Sequence, residues 1–290
     1  MKAMRSVIAI VGPTASGKSA LAMRIAKKYG GEIIAADSRT VYRDMDIGTA
    51  KPSKQDRLDI PHHLLDVVNP DEPFSVAEFK RLAVDAIDDI QSRGKLPILV
   101  GGTGLYVDAV LFDYQFNQQA DPHFREKLQE LSVGELQEIC RQKNISIPVN
   151  SQNKRHLIRA IETDGQSGVR RHLRDNTLVV GITTTKDKLR DRIEKRVHEM
   201  VAEGVVDEVE RIGKKYHWKG EALKGNIYRI FKDVKSGDKT LTAATQELIQ
   251  SDLQLAKRQM TWFRRHAHIV WSENPDELLA QVDTFLKQSH

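Results

Sequence analysis

The sequence predicts an α/β fold: a parallel sheet flanked by helices, interrupted by an all-helical insertion domain. Three observations carry this. From Ser6 to Phe112, short apolar runs alternate with helical periods, the pattern of strand–helix–strand units in a parallel sheet. From about Phe116, helical segments follow one another with no strand between them. "TLVVGIT", Thr177–Thr183, then restores the strand pattern. The expected boundaries are 1–115 and 176–290 for the sheet domain and 116–175 for the insertion.

Each element has a local reason. "SVIAIV", Ser6–Val11, is an apolar run bounded by a glycine, a buried strand. A helix is expected from near Gly17 to Tyr29, stopped by two glycines. "EIIAA", Glu32–Ala36, is the second strand and runs into Asp37. In "SVAEFKRLAVDAIDDIQSRG", Ser75 and Glu78 have capping-box spacing and Gly94 ends the helix. "LPILVGG", Leu96–Gly102, is a third buried strand, and "TGLYVDAVLF" a helix. In the insertion, "ADPHFREKLQEL", "SVGELQEICRQK" and "NKRHLIRAIET" are helical. The remainder is mainly helical, with "HIVW", His268–Trp271, a last strand. Asn274 then caps a terminal helix that has Pro275 in its first position.

Composition excludes several classes. The single cysteine, Cys140, permits no disulfide within the chain and no multi-cysteine zinc site, and its helical pattern makes it a core residue. No apolar run approaches the length of a membrane span or a signal peptide, so a cytoplasmic protein without a membrane partner is expected. His62-His63 is half a metal site at best. Adjacent strand residues face opposite ways, and no second cluster accompanies the pair.

The chemistry starts at "GPTASGKS". Gly12, Pro13, Thr14, Ala15, Ser16, Gly17, Lys18 and Ser19 fit G-x-x-x-x-G-K-[ST] between a strand and a helix. Backbone N–H groups and the helix N-terminus converge there on phosphate oxygens, Lys18 adds a point charge, and the Ser19 hydroxyl is a magnesium ligand. The sheet is therefore expected to be P-loop NTPase-like. Most such loops hold ATP or GTP, so the loop alone does not choose between a nucleotide's terminal phosphate and a diphosphate that leaves as a unit.

Ligands of parallel sheets sit beyond the carboxyl ends of the strands. The strand ends therefore bring Asp37, Ser38 and Thr103 toward the phosphate. A carboxylate beside phosphate is repelled unless it serves a metal or takes a proton from an attacking group. Charge points to an anionic polymer as partner. Between Arg141 and Arg174 stand eight basic residues against Glu162 and Asp164 alone. "LAKRQMTWFRRHAH" adds Lys257, Arg258, Arg264 and Arg265 with no acid. Trp262 and Phe263 between them can stack on bases, but aromatic residues at this spacing are more often core. In "RIEKRVHEM", Ile193, Val197 and Met200 form a core stripe with Arg192 and Arg196 beside it. On these residues alone a phosphate-transferring kinase and a non-catalytic RNA-binding protein stay open.

A resemblance narrows the choice. "GPTASGKS", "ADS…VYRDMDIGTAKP", "PHHLLDVVNPDEPFSVAEF", "LPILVGGTGLYVDAV" and "LAKRQMTWFR", in this order, resemble the bacterial tRNA dimethylallyltransferases. The resemblance implies that the loop holds dimethylallyl diphosphate, with Mg2+ as cofactor. It also implies that the exocyclic amine of the tRNA adenine on the 3′ side of the anticodon attacks the allylic carbon and diphosphate leaves. Asp37 would accept the amine proton, with Thr103 holding Asp37 and the adenine. Thr14 to Ser19, Lys18 and Arg196 would bind diphosphate. The tRNA anticodon stem-loop would meet Asp37, Ser38, Arg39, Thr40, Thr103, Arg125, Lys154, Arg155, Arg159, Lys257 and Arg258. A monomer is expected. The related adenylate isopentenyltransferases modify a free nucleotide, which needs no basic insertion.

Overall fold

The computed structural model describes residues 6–116, 122–166 and 168–288. The chain divides into two compact units, Met1–Leu111 with Leu173–His290, and Phe112–His172. The second begins and ends a few residues earlier than the 116–175 expected from pattern.

In the first unit, strand β1 (Val7–Val11) leads to α1 (Lys18–Tyr29), β2 (Glu32–Ala35), α2 (Lys54–Asp59) and β3 (His62–His63). Then come α3 (Val76–Ser92), β4 (Pro97–Gly101) and α4 (Gly104–Leu111). The second unit holds α5 (Pro122–Glu130), α6 (Val133–Gln142) and α7 (Lys154–Glu162). The first unit resumes with β5 (Thr177–Ile182), α8 (Lys186–Ala202), α9 (Val205–Lys215), α10 (Asn226–Lys235) and α11 (Leu241–Phe263). It ends with β6 (Val270–Ser272) and α12 (Pro275–Gln288).

The six strands form one parallel sheet in the order β3-β2-β4-β1-β5-β6. β1 lies at its centre with all five residues buried, which is why its sequence is apolar throughout instead of alternating. Ile8 and Ile10 point to one face and meet Leu21 and Ile25 of α1 and Leu278 and Val282 of α12. A second cluster joins Val41, Tyr42 and Met45, after β2, to the apolar stripes of α8 to α11. Ser75 caps α3, its hydroxyl accepting from the Glu78 N–H at 3.1 Å. Phe79 of α3 stacks on Tyr106 of α4 with ring centroids 4.3 Å apart.

Two details depart from the sequence pattern. The histidine pair is itself an edge strand, in register with Ile33 and Ile34. Two residues are too few to show a period. The last strand is Val270–Ser272, two residues later at its start than the apolar run suggests.

The second unit packs α5, α6 and α7 around Leu128, Leu136, Cys140, Leu157, Ile158 and Ile161. Cys140 is fully buried there. A capping box between Ser132 and Glu135 starts α6, and Asn153 caps α7. The unit is not wholly helical. Gln115 and Val169 form an isolated antiparallel bridge near its ends, exchanging backbone hydrogen bonds of 2.8 and 3.1 Å.

Candidate active site

The loop between β1 and α1 is braced from two helices. On α8, Arg192 and Arg196 lie one turn apart. Arg192 Nη1 donates to Ser16 O at 3.2 Å, and Arg196 Nη1 to Thr14 Oγ1 at 2.5 Å. On α11, Asp252 and Gln259 lie two turns apart. Asp252 takes the other amino group of Arg196, and Gln259 Oε1 accepts from the Thr14 N–H at 2.8 Å. Burial pushes the Asp252 carboxyl up, and the Arg196 charge pulls it back.

The loop's own donors are arranged for an anion. Lys18 Nζ donates to Pro13 O at 2.6 Å. Burial pushes the Lys18 ammonium down to about 8; Asp37 opposes that shift and Arg196 adds to it. Ser16 Oγ and Arg196 Nε are buried without a hydrogen-bond partner. Buried polar atoms left unpaired are costly, and an incoming oxyanion satisfies them.

The facing wall comes from the ends of β2 and β4. Asp37 Oδ1 accepts from the Arg39 N–H at 2.7 Å, a turn that fixes the carboxylate two residues beyond the strand. Thr103 Oγ1 accepts from the Ser38 N–H at 3.1 Å, tying the end of β4 to the same turn. This approach needs Gly101: a Cβ there would lie 2.0 Å from Ala36 O. The chain after Asp37 is then clamped by Glu208 of α9. Its buried carboxylate accepts from the N–H groups of Asp46, Ile47 and Gly48 at 2.8–2.9 Å, and from Tyr228 Oη at 2.8 Å. Its burial and the neighbouring Glu208 push the Tyr228 hydroxyl strongly up, so Tyr228 stays a donor.

These pieces enclose a cavity of about 530 Å³. It gathers Thr14 to Ser19, Asp37, Thr40 and Arg196 from the expected site residues. Gly12 and Pro13 lead into it, and Thr103 follows the lining residue Gly102. The residues expected at RNA fall in different places. Thr40 is buried and lines the phosphate cavity with Asp37, its hydroxyl without a partner. Arg39 lies outside the cavity lining, and its Nη1 is 3.5 Å from Ala222 O. Lys257 and Arg258 are exposed on α11.

Arg125, Lys154, Arg155 and Arg159 belong to the second unit. There Arg125 grips Glu162 with two hydrogen bonds of 2.6 and 2.9 Å, and Arg159 Nη1 lies 3.5 Å from the same carboxylate. Lys154 Nζ donates to Gln129 O, and Arg155 is exposed. The basic excess of Arg141–Arg174 is thus partly spent on pairs within the protein.

Phe263 is buried and Trp262 half-buried. Trp262 Nε1 donates to Asp108 Oδ2 at 3.0 Å, and His266 Nε2 lies 3.1 Å from that same oxygen. Both aromatics are packing residues, as their spacing suggests. His63 pairs with Glu32, and His62 Nδ1 lies 2.7 Å from Ile60 O. Among the described residues no group of three or more His, Cys, Asp or Glu could hold a metal ion, and no helix is long and apolar enough to cross a membrane.

Gln259, Asp252 and Glu208 escape the sequence reading, which finds Arg192 beside a core stripe but not its contact with the loop. The one available signal is helical spacing: Asp252 lies seven residues before Gln259, which is inside a motif already read for its charge.

Comparison with known proteins places these features in context. An "IPP transferase" family model matches residues 40–266, and an "Isopentenyl transferase" model residues 5–69. A tRNA dimethylallyltransferase of Geobacillus thermodenitrificans is 37% identical over 97% of this chain and 95% of its own. One from Acetivibrio thermocellus is 41% identical over 94% of this chain and 93% of its own. The crystal structure of a full-length tRNA isopentenylpyrophosphate transferase from Bacillus halodurans superposes with a TM-score of 0.76. It is 35% identical, with 98% of each chain covered. A eukaryotic dimethylallyltransferase captured acting on tRNA superposes with a TM-score of 0.73 at 25% identity, covering 89% of this chain and 69% of that one.

Proposed function

We propose a function that proceeds from one fact: the chain belongs to the IPP transferase family. It transfers the dimethylallyl group of dimethylallyl diphosphate to the exocyclic amine of the tRNA adenine on the 3′ side of the anticodon. The observation that carries this is the meeting of Asp37 and the phosphate loop in one cavity. A carboxylate held beside a phosphate site has a use when the acceptor must lose a proton as the phosphate group leaves.

The residues divide the work. The adenine amine is a weak nucleophile whose proton must go as the new bond forms. Asp37 takes it, with one oxygen fixed by the Arg39 N–H and the turn fixed by Thr103. The allylic C–O bond breaks, the C–N bond forms, and the C–O electron pair stays on the diphosphate. Lys18, Arg196 and the amides at the start of α1 stabilise the charge that builds there. Arg196 is aimed by Asp252, and Arg192 fixes the loop at Ser16. The cavity shields the allylic carbon from water.

A magnesium ion fits these residues. Ser19 offers a hydroxyl, Asp37 is a nearby carboxylate, and no denser ligand group exists among the described residues. A hard cation that keeps several waters and takes most of its protein-independent ligands from phosphate suits so sparse a set. When bound it would supply positive charge to the leaving diphosphate.

RNA is held by exposed cations. Arg155 on the second unit and Lys257 and Arg258 on α11 are exposed and are candidates for phosphate contacts. Each phosphate contact removed should flatten the logarithmic salt dependence of tRNA binding by roughly one unit. Arg155→Gln should do so in a filter-binding titration; an unchanged slope would place the RNA elsewhere. The reaction itself is checked by digesting treated tRNA to nucleosides. One adenosine should carry an added dimethylallyl unit. Unmodified adenosine throughout, with folded protein and all reactants present, would contradict the assignment.

A further inference from the structure

Helix α4 carries one charged side chain, Asp108, in a run from Tyr106 to Leu111 that is wholly buried. A carboxylate there costs desolvation that an apolar side chain would not, so what it holds matters. Trp262 Nε1, in the last turn of α11, donates to Asp108 Oδ2 at 3.0 Å. His266 Nε2, in the turn that follows α11, lies 3.1 Å from the same oxygen. One carboxylate oxygen thus holds the end of α11 and the chain that leaves it.

The indole lies along the start of α4. Gly104 and Asp108 are four apart, on one face of that helix. A Cβ on Gly104 would lie 2.2 Å from Trp262 Cδ1, so only glycine lets the ring this close. Thr103, the residue before, takes the N–H groups of Tyr106 and Val107 on its carbonyl and so starts the helix. Its Oγ1 accepts from the Ser38 N–H, one residue past Asp37. One turn before Trp262 on α11, Gln259 lies against Gly102, where a Cβ would be 2.5 Å from its Nε2. α11 therefore runs along Gly102, Thr103 and Gly104. Apolar contact gives such a docking strength but no direction along the helix axis; hydrogen bonds to a fixed carboxylate supply the direction.

We propose that Asp108 is a positioning residue for the transfer reaction: by anchoring Trp262 it fixes the register of α11 along the β4–α4 junction, and so holds Thr103 against the turn that carries Asp37. The inference rests on the reaction proposed above, with Asp37 as its base. Asp108 is not among the residues that line the cavity, and it acts through Trp262, Gly104 and Thr103.

Single-turnover prenyl transfer by the full chain, run well below each variant's Tm with both substrates saturating, tests it. Asp108→Leu, similar in size but without an acceptor, should slow transfer by roughly 10–100-fold, the scale of a displacement of about 1 Å at a reacting group. tRNA retention on filters should stay within about two-fold, since no RNA contact is removed. Asp108→Asn keeps a carbonyl oxygen for Trp262 and should hold the rate within about three-fold of the unaltered protein. In Thr103→Ala, where the last link is already gone, adding Asp108→Leu should cost less than about three-fold more. Trp262→Phe removes the N–H from the other side, should slow transfer likewise, and serves if Asp108→Leu does not fold. An unchanged rate in folded Asp108→Leu would overturn the inference. So would its full cost in the Thr103→Ala background, the mark of a purely structural role, or an asparagine variant as slow as the leucine one. Transfer by the unaltered protein that is indifferent to Asp108 sinks this inference alone; no transfer by the unaltered protein sinks the proposed reaction with it.

Discussion

Strand β2 carries a carboxylate at each end, and the two are treated in opposite ways. Glu32, at the amino end, is 2% exposed. It accepts from Arg93 Nη1 and Nη2 at 2.5 and 2.8 Å and from Lys95 Nζ at 2.8 Å, and lies 2.8 Å from His63 Nε2. These cations, Arg93 above all, hold its carboxyl far below the usual carboxylate range. Asp37, just past the carboxyl end, has one backbone N–H on one oxygen and a lysine nearby. A carboxylate whose lone pairs are all engaged stabilises the fold but is a poor proton acceptor. A carboxylate held still by a single turn keeps an oxygen for chemistry. The sheet separates stability from reaction along one strand, at positions five residues apart.

Substitutions at the two ends should separate the same way. Asp37→Ala should lower kcat by roughly 10²–10⁴-fold with tRNA binding nearly unchanged, measured as single-turnover prenyl transfer beside filter binding. Retained turnover would remove Asp37 as the base and erase the contrast. Lys18→Met should cost about 10²–10³-fold in turnover, since it removes a charge aimed at the leaving group. It also carries a pH signature. With the Lys18 ammonium down to about 8 in the free protein, an anion must restore its proton above that pH. Diphosphate affinity should therefore fall as pH rises through 8. Calorimetry at pH near 8.5, in buffers of different protonation enthalpy, should show greater proton uptake by the unaltered chain than by Lys18→Met. Equal uptake would mean Lys18 stays charged in the empty loop.

Glu32→Ala should leave turnover at low temperature nearly intact and cost about 2–3 kcal/mol of stability, because its partners are half-exposed and rehydrate. A fall of several degrees in Tm is the readout. The sign with pH follows from the lowered carboxyl. The Glu32 contribution is fully present above its unfolded value near 4.5 and is lost as pH falls from there toward the folded value. The Tm difference between the unaltered chain and Glu32→Ala should narrow on acidification. A constant difference would show that Glu32 acts through packing.

The same asymmetry explains what was legible in the residues. Asp37, Ser38 and Thr103 could be found because parallel strands deliver their next residues to one edge, a rule that needs only local pattern. The loop from Gly12 to Ser19 is continuous and reads directly. Gln259 and Asp252 could not be found that way, since they reach Thr14 and Arg196 from elsewhere in the sequence, 245 and 56 residues away. A charge sum over Arg141–Arg174 does not show that Glu162 engages both Arg159 and, from outside that segment, Arg125. The turn after Asp37 directs Thr40 into the cavity, a placement that its neighbours in the chain do not show.

The central claim is that the loop holds a diphosphate that leaves as the base-assisted acceptor attacks. The most direct measurement incubates the protein with magnesium, radiolabelled dimethylallyl diphosphate and unmodified tRNA carrying adenine beside its anticodon, with AMP as acceptor in a parallel tube. Label should appear in the tRNA and none in AMP. Label in AMP alone, or ATP turnover with no label in either acceptor, would contradict it.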